Sequence, residues 1–433
     1  MGACTAPRPP VGWVPMSARG QHFIPLTRAD VLQRVAGQVP PPLRADFSDL
    51  ARRLTSLLHV EFHGQLEELK QLYAPLDPDA DTLPPAGARP AASELARRLA
   101  RALGAVLERA NYRPLPPDQL RAALDRDSPF QLRVHVELDD FAELAVHVRG
   151  LRREELVTRR WWQRRPRRIP TDVFERVVVL ARIKDRDDLP AERRQGPPVP
   201  PGRTLVKLFR NVPEPDLEMV LPNVQVRMRG RDRALLGVPA LVGGVLLLVT
   251  KLSASLLLTA ALIAFWLGLR DEAVTLGAPE LLGLVAALAT LGAFVLRQVS
   301  AFRNRKIAFM KALAENLYFR ALDHGAGVFH RLVDEAEEEE TKEALLACAA
   351  LLQRPGLTEA ELDVLVESWL ERWCERYVDF ECDDALAKLE RLGLLQRRGE
   401  GPVSQLSVLP PAEGKVLLDR RWDDWFTYAN PAP

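Results

Sequence analysis

Leu252-Ser-Ala-Ser-Leu-Leu-Leu-Thr-Ala-Ala-Leu-Ile-Ala-Phe-Trp-Leu-Gly-Leu269 runs for 18 residues without a charge. As a helix it rises ~27 Å, close to the ~30 Å hydrocarbon core of a bilayer. After Arg270 come Asp271, Glu272 and Pro279, and a second apolar run extends from Leu281 to Leu296, bounded by Glu280 and Arg297. Neither run has a polar face, so the pattern predicts two membrane spans, about 252–269 and 279–297, forming a helical hairpin.

The flanks set its expected orientation. Arg227, Arg229, Arg231 and Arg233 precede the hairpin, and Arg297, Arg303, Arg305 and Lys306 follow or close it, while the loop between the runs is acidic. A positive-inside bias keeps both basic flanks cytoplasmic with two spans. Residues 234–250, with Pro239 and Gly243-Gly244, then read as a kinked lead-in or a third span. Ala260, Ala264 and Gly268 on one run, and Gly283 and Ala287 on the other, recur every four residues and suit close helix packing or self-association.

Outward from this membrane region (227–306), the chain divides into a disordered Pro-rich N-terminus (1–20), a soluble α+β domain (21–226) and a mainly helical, winged-helix-like C-terminal domain (307–433). Residues 43–73 place Leu50, Leu54, Leu57, Leu58 and Leu69 at steps of three and four, a long amphipathic helix stopped by Pro75 and Pro78. Ser93 reads as the cap of a second helix through about Ala110. Gln131–Leu138, Leu144–Val148, Phe174–Ile183 and Thr204–Phe209 read as strands of a small antiparallel sheet. Past a turn at His324-Gly325-Ala326-Gly327, helices are predicted at 328–353, 358–376 and 383–393. Two short strands, 394–399 and 405–409, follow as a wing.

The whole chain is nearly neutral, with 59 Lys+Arg against 58 Asp+Glu, but the charge is blocked. Residues 152–168 hold eight arginines and two glutamates. Within them Trp161, Trp162, Arg164, Arg165, Arg167 and Arg168 suit contact with an anionic lipid surface. Solvated arginines around core tryptophans are the competing reading, and nucleic acid is disfavoured. Residues 334–343 hold seven carboxylates and one lysine. Asp334, Glu337, Glu338 and Glu340 are expected to form an acidic interaction face for a basic surface. His330 lies on the same helical face as Asp334, Glu337 and Glu338, but no second helix offers matching ligands, so no metal is expected. The recognition helix of the winged-helix reading carries Asp383, Asp384 and Glu390 against Lys388 and Arg391, a balance that opposes phosphate binding.

Cys4, Cys348, Cys374 and Cys382 form no CxxC pair, which places the soluble parts in a reducing compartment. No phosphate loop, nucleophile elbow or zinc motif appears, so neither catalytic residues nor a cofactor are assigned.

The phrases His22-Phe-Ile-Pro-Leu, Leu72-Tyr-Ala-Pro-Leu-Asp-Pro-Asp79, Phe174-Glu-Arg-Val-Val-Val179, Gly268-Leu-Arg-Asp-Glu272, Glu315-Asn-Leu-Tyr-Phe-Arg320 and Glu340-Thr-Lys-Glu-Ala-Leu-Leu346 span most of the chain. Together they resemble the transmembrane protein 143 family, whose bacterial relatives are grouped as a domain of unknown function. The resemblance implies a two-span membrane protein and brings no activity; a Pro-rich N-terminus without a convincing transit peptide points to a member of bacterial type. The sequence therefore leads to a multi-pass protein of a bacterial inner membrane, or alternatively of a mitochondrial or other organelle membrane. Its expected role is a membrane-tethered adaptor or scaffold with cytoplasmic domains, a protein partner or a second copy, and anionic lipids. The alternative role is a membrane-associated enzyme or transport accessory with its site between the two soluble domains.

Overall fold

A computed structural model describes residues 22–80, 91–124, 133–158, 167–190, 199–227, 263–268, 278–399 and 404–425. The chain opens with helices α1 (Arg28–Gln38), α2 (Arg44–Tyr73) and α3 (Ala92–Arg109), then strand β1 (Arg113–Pro114) and helix α4 (Pro117–Leu124). Strands β2 (Arg133–Val136), β3 (Phe141–Thr158), β4 (Arg167–Ile183) and β5 (Thr204–Pro213) follow, then the short helix α5 (Leu217–Val220) and strand β6 (Val224–Arg227). A long helix α6 (Ala278–Arg320) leads to β7 (Ala321–His324) and α7 (Ala326–Gln353). The end of the chain supplies α8 (Glu359–Cys374), α9 (Cys382–Arg391), the hairpin of β8 (Leu395–Arg398) and β9 (Gln405–Val408), and α10 (Pro411–Asp423).

Two compact units result. The larger comprises residues 1–126, 136–223 and 320–433; the smaller comprises 127–135 and 224–319. In the larger unit a five-stranded antiparallel sheet has the order β1-β3-β4-β5-β7. Helices α2, α3 and α7 supply much of the core. α2 buries Phe47, Leu50, Leu54, Leu58, Phe62 and Leu69, the three-and-four spacing of an amphipathic face, and stops before Pro75. α3 buries Leu95, Leu99, Leu103 and Leu107 in the same way. Its cap position is Ala91, without a side-chain cap, so Ser93 lies inside the first turn instead of capping it. α8 does start on a reciprocal capping box, Thr358 with Glu361.

The sheet is larger than the strand signals suggest. β3 and β4 pair from Phe141↔Ile183 to Thr158↔Arg167, with a register shift between Phe141 and Glu143, whereas β5 pairs with β4 only as far as Val173. Residues 153–158 and 167–172 therefore form a two-stranded ribbon beyond the reach of β5. β7 pairs antiparallel to β5 at Lys207↔His324 and Leu208↔Asp323, where the sequence suggested only a turn.

Among the described residues no helix is long and apolar enough to cross a membrane. That finding overturns the two-span hairpin. It also removes the integral membrane protein, its multi-pass inner-membrane or organelle location, and the fold class built around the hairpin. The structure shows a five-stranded antiparallel sheet with mixed α and β content. The run read as a span at 279–297 is one part of the 43-residue α6, which continues unbroken through Arg297, Arg303 and Lys311. At 1.5 Å per residue α6 is ~65 Å long, about twice a hydrocarbon core. Most of the run at 252–269 and all of 234–250 lie outside the described residues.

Two glycines separate backbone need from mere space. Gly150 in β3 has φ +66°, a conformation that costs an L-residue ~1–2 kcal/mol, whereas Gly37 in α1 has open space where a Cβ would stand. Gly150→Ala is expected to lower unfolding free energy by ~1–2 kcal/mol, and Gly37→Ala to leave it unchanged or raise it by up to ~1 kcal/mol. Urea denaturation of both variants checks this contrast.

Candidate functional site

The acidic stretch of α7 lies in the core. Phe329, Leu332, Ala336, Leu346, Ala347 and Ala350 are buried on this helix, and the same helix buries Glu337, Glu339, Glu340 and Glu343 between them. Glu339, Glu340 and Glu343 are each no more than 2% exposed. A carboxylate taken from water at such positions needs a cation or several hydrogen bonds. Each of these has them.

Arg109, in the last turn of α3, makes a two-pronged contact with Glu340 and also bonds Glu61 of α2 at 3.1 Å. Arg391 of α9 takes the other Glu61 oxygen at 2.6 Å. Lys388 of α9 bonds Glu343 and lies 4.0 Å from Glu340. Asn111, just after α3 at φ 59°, donates to Glu343 at 3.1 Å. Arg149 of β3 is 6% exposed; it reaches Glu335 at 3.1 Å and lies over the rings of Phe23 and Tyr112. The Tyr112 hydroxyl donates to Glu335 at 2.8 Å.

A second group ties the first residues before α1 to the same helix. Glu339 accepts the Ile24 N–H at 3.1 Å, and Lys342 donates to the carbonyls of Ile24 at 2.9 Å and Leu26 at 3.1 Å. Glu338 accepts the Arg28 N–H at 3.0 Å, and Glu337 bonds the Arg28 guanidinium at 2.9 Å and His59 at 2.8 Å.

The acidic residues singled out from sequence thus fall into different surroundings. Glu337, Glu338 and Glu340 meet Arg28 and Arg109 of this chain, while Asp334 is exposed. Desolvation, then Glu338 and Glu337, raises the Asp334 carboxyl above its usual range. Among the described residues no group of three or more His, Cys, Asp or Glu is placed to hold a metal ion. Trp161, Trp162, Arg164 and Arg165 lie outside the described residues, and Arg167 and Arg168 are the first residues of β4. Lys388, counted from sequence on a nucleic-acid-facing helix, is buried against α7 instead.

Sequence reasoning missed Arg109, Asn111, Arg149, Lys342 and Lys388. One signal was available: Lys388 sits among Ala385, Leu389 and Leu392, on the apolar side of an otherwise charged helix. The carboxylates of α7 likewise sit where its apolar stripe should continue.

Burial shifts the titrations. Glu343 is pushed up to about 7, against the pull of Lys388, and Glu339 is raised by burial despite Lys342. Burial alone would lower Lys388, but Glu343, Glu340 and Asp384 outweigh it and raise it. The arrangement is one of mutually consumed donors and acceptors, suited to fixing the register of packed elements and to holding a proton near neutrality.

Residues 174–327 match the family model described as "Protein of unknown function (DUF3754)". The match runs from β4 to the start of α7 and stops short of the acidic stretch. It links the chain to no activity and not to the family that the sequence phrases resemble. No solved structure matches the chain.

Two outcomes test the cluster. Lys388→Met leaves Glu343 buried beside Asn111 alone and is expected to cost ~3–5 kcal/mol, while Lys388→Met with Glu343→Leu recovers most of it. Urea midpoints of the two variants decide this; equal losses would show that the pair is not a unit. The pH dependence follows from the raised carboxyls. A folded state that binds a proton more tightly than the unfolded chain is favoured below the unfolded value, ~4.5, and loses that advantage as pH rises through about 7. Thermal stability is therefore expected to fall between pH 5 and 8, and Glu343→Gln to flatten the fall.

Proposed function

We propose that the chain is a binding protein, an adaptor that lies against anionic lipid surfaces without spanning them. The observation that carries this reading is the apolar surface of the smaller unit. Trp266 is 85% exposed, Leu282 71% and Leu296 68%, and Ile263, Leu267, Val285, Val295, Val299 and Ile307 are also exposed. Monomeric soluble proteins seldom present so many large apolar side chains together, and such surfaces mark contact with a protein or a lipid. On α6 Leu282 and Val285, and Leu296 and Val299, are each three residues apart, and nearly a whole number of helical turns separates the two pairs, so the four share one side of the helix. Exposed Arg297, Arg303 and Lys311 on the same helix favour an anionic surface.

The ribbon of β3 and β4 supports the same reading from the larger unit. It is two-stranded, carries exposed Arg153 next to exposed Arg152, and ends at Arg167 and Arg168, the described part of the arginine-tryptophan stretch. A non-catalytic role accords with a charge cluster whose members are committed to one another.

Flotation of the full-length chain with vesicles is the test. It should bind phosphatidylglycerol-containing vesicles and not pure phosphatidylcholine, with salt weakening the binding. Arg164→Ser, Arg165→Ser, Arg167→Ser and Arg168→Ser together should weaken it about tenfold or more, at ~1 kcal/mol per basic residue. Trp266→Ser with Leu282→Ser and Leu296→Ser should remove the salt-resistant part. Binding to duplex nucleic acid through the same arginines, with no uptake on vesicles, would overturn the proposal.

A further inference from the structure

The residues before α1 form an arm whose backbone is read mainly by side chains of α7, with Asn111 donating to the His22 carbonyl at 3.3 Å. His22 to Thr27 is not helical, and Ile24 is 1% exposed in the core. Among the described residues no strand pairs with it. Its backbone is satisfied by α7 instead: Glu339 takes the Ile24 N–H, and Lys342 supplies both the Ile24 and Leu26 carbonyls. Pro25 has no N–H to satisfy, so the Ile-Pro-Leu order matches the donors and acceptors that α7 offers. Phe23 adds a ring under the Arg149 guanidinium at 4.2 Å and near Lys342 at 5.2 Å. Glu338 then caps the start of α1 from outside by accepting the Arg28 N–H.

The arm continues through α1, which buries Val31 and Val35, and Gln353 of α7 bonds Gln38 near its end at 3.3 Å. It joins the rest of the chain through Val39-Pro40-Pro41-Pro42-Leu43. Arg44 holds that connection by donating to the carbonyls of Val39 and Gly37. Three successive prolines remove three N–H groups from the connector, and the two that remain, of Val39 and Leu43, donate to the Val35 and Pro40 carbonyls, so that Pro41–Leu43 forms a single 3-10 turn. A short connector that joins the arm to α2, and not to the helix on which the arm docks, is a hinge across which the arm can be exchanged between copies.

We propose that the face of α7 bearing Glu338, Glu339 and Lys342 is a peptide-binding site for an extended Phe-Ile-Pro-Leu segment, and that its partner in assembly is the arm of a second copy. The chain's own residues 22–28 fill the site in the monomer. Two copies trade arms, each docking on the other's α7 with the same contacts. The ligand class is fixed by chemistry: one N–H, two carbonyls two residues apart, a proline between them and an apolar side chain on either side.

Two full-length variants test this together. Ile24→Ser weakens the arm and keeps the site; Glu339→Gln with Lys342→Met breaks the site and keeps the arm. A fluorescent peptide spanning residues 21–30 should bind the first at least tenfold more tightly than the unaltered chain, and the second not at all. Mixed, the two variants should form a 1:1 heterodimer by native mass spectrometry, while each alone stays monomeric. If Ile24→Ser does not melt cooperatively, Phe23→Ala serves as the weakened arm in the same mixture. A cooperatively folded weak-arm variant that neither takes up the peptide nor pairs with its complement would overturn the proposal and leave the arm as plain core.

Discussion

Seven carboxylates in ten residues, on a helix that must also close a hydrophobic core, set the terms for the larger unit. A helix can bury Glu339, Glu340 and Glu343 only if cations arrive at the same time, because an unpaired carboxylate in that position costs several kcal/mol. The groups that arrive come from every side: Arg28 at the head of α1, Arg109 and Asn111 at the end of α3, Arg149 from the sheet and Lys388 from α9. Several of these contacts join residues separated by more than 220 positions in sequence. The parts of the chain before β2 and after α6 therefore share one core, and neither half can satisfy its buried charges without the other. A fold closed by such contacts is expected to assemble late and cooperatively, since the loop-closure entropy is lost before the pairs form.

Much of the helical framework is legible in sequence because its cause is local. The apolar spacing of α2 and α3, the prolines after α2 and the Thr358-Glu361 box of α8 act within a few residues of where they are read. The sheet is less legible. Arg152, Arg153, Arg167 and Arg168 belong to the long β3–β4 pair although they spoil any apolar alternation, because backbone pairing of one strand with the other makes these residues strands. β7 is only four residues long and is a strand because β5 lies beside it. Nothing within Ala321–His324 specifies that neighbour.

The buried cluster was misjudged for a related reason. A run of Glu on a helix reads as a solvated face when only its own residues are weighed. What decides its burial is the continuation of the apolar stripe on both sides, from Phe329 and Leu332 to Leu346 and Ala350, with no change of helical phase. The same test applied to α9 finds Lys388 on the apolar side. Acid and base at core positions of two helices then predict each other. Hydropathy alone errs in the opposite direction for Leu281–Leu296, where an apolar run reads as a membrane span although the helix that contains it is not apolar enough for one and carries Arg297 and Arg303.

The two units thus distribute polar and apolar groups in opposite ways. In the larger one, charged side chains fill core positions and are consumed by partners; in the smaller one, Trp266, Leu282 and Leu296 stand in solvent. Neither distribution minimises free energy for an isolated chain. Buried ion pairs are often no better than apolar residues of the same size, so their value lies in specificity: Glu340 accepts Arg109 and Glu339 the Ile24 backbone in one register only. Exposed large apolar groups cost hydration free energy until something covers them, at roughly 25 cal/mol for each Å² removed from water. A unit held in one register by its own charge pairs thus stands in the same chain as a surface that gains free energy when it is covered.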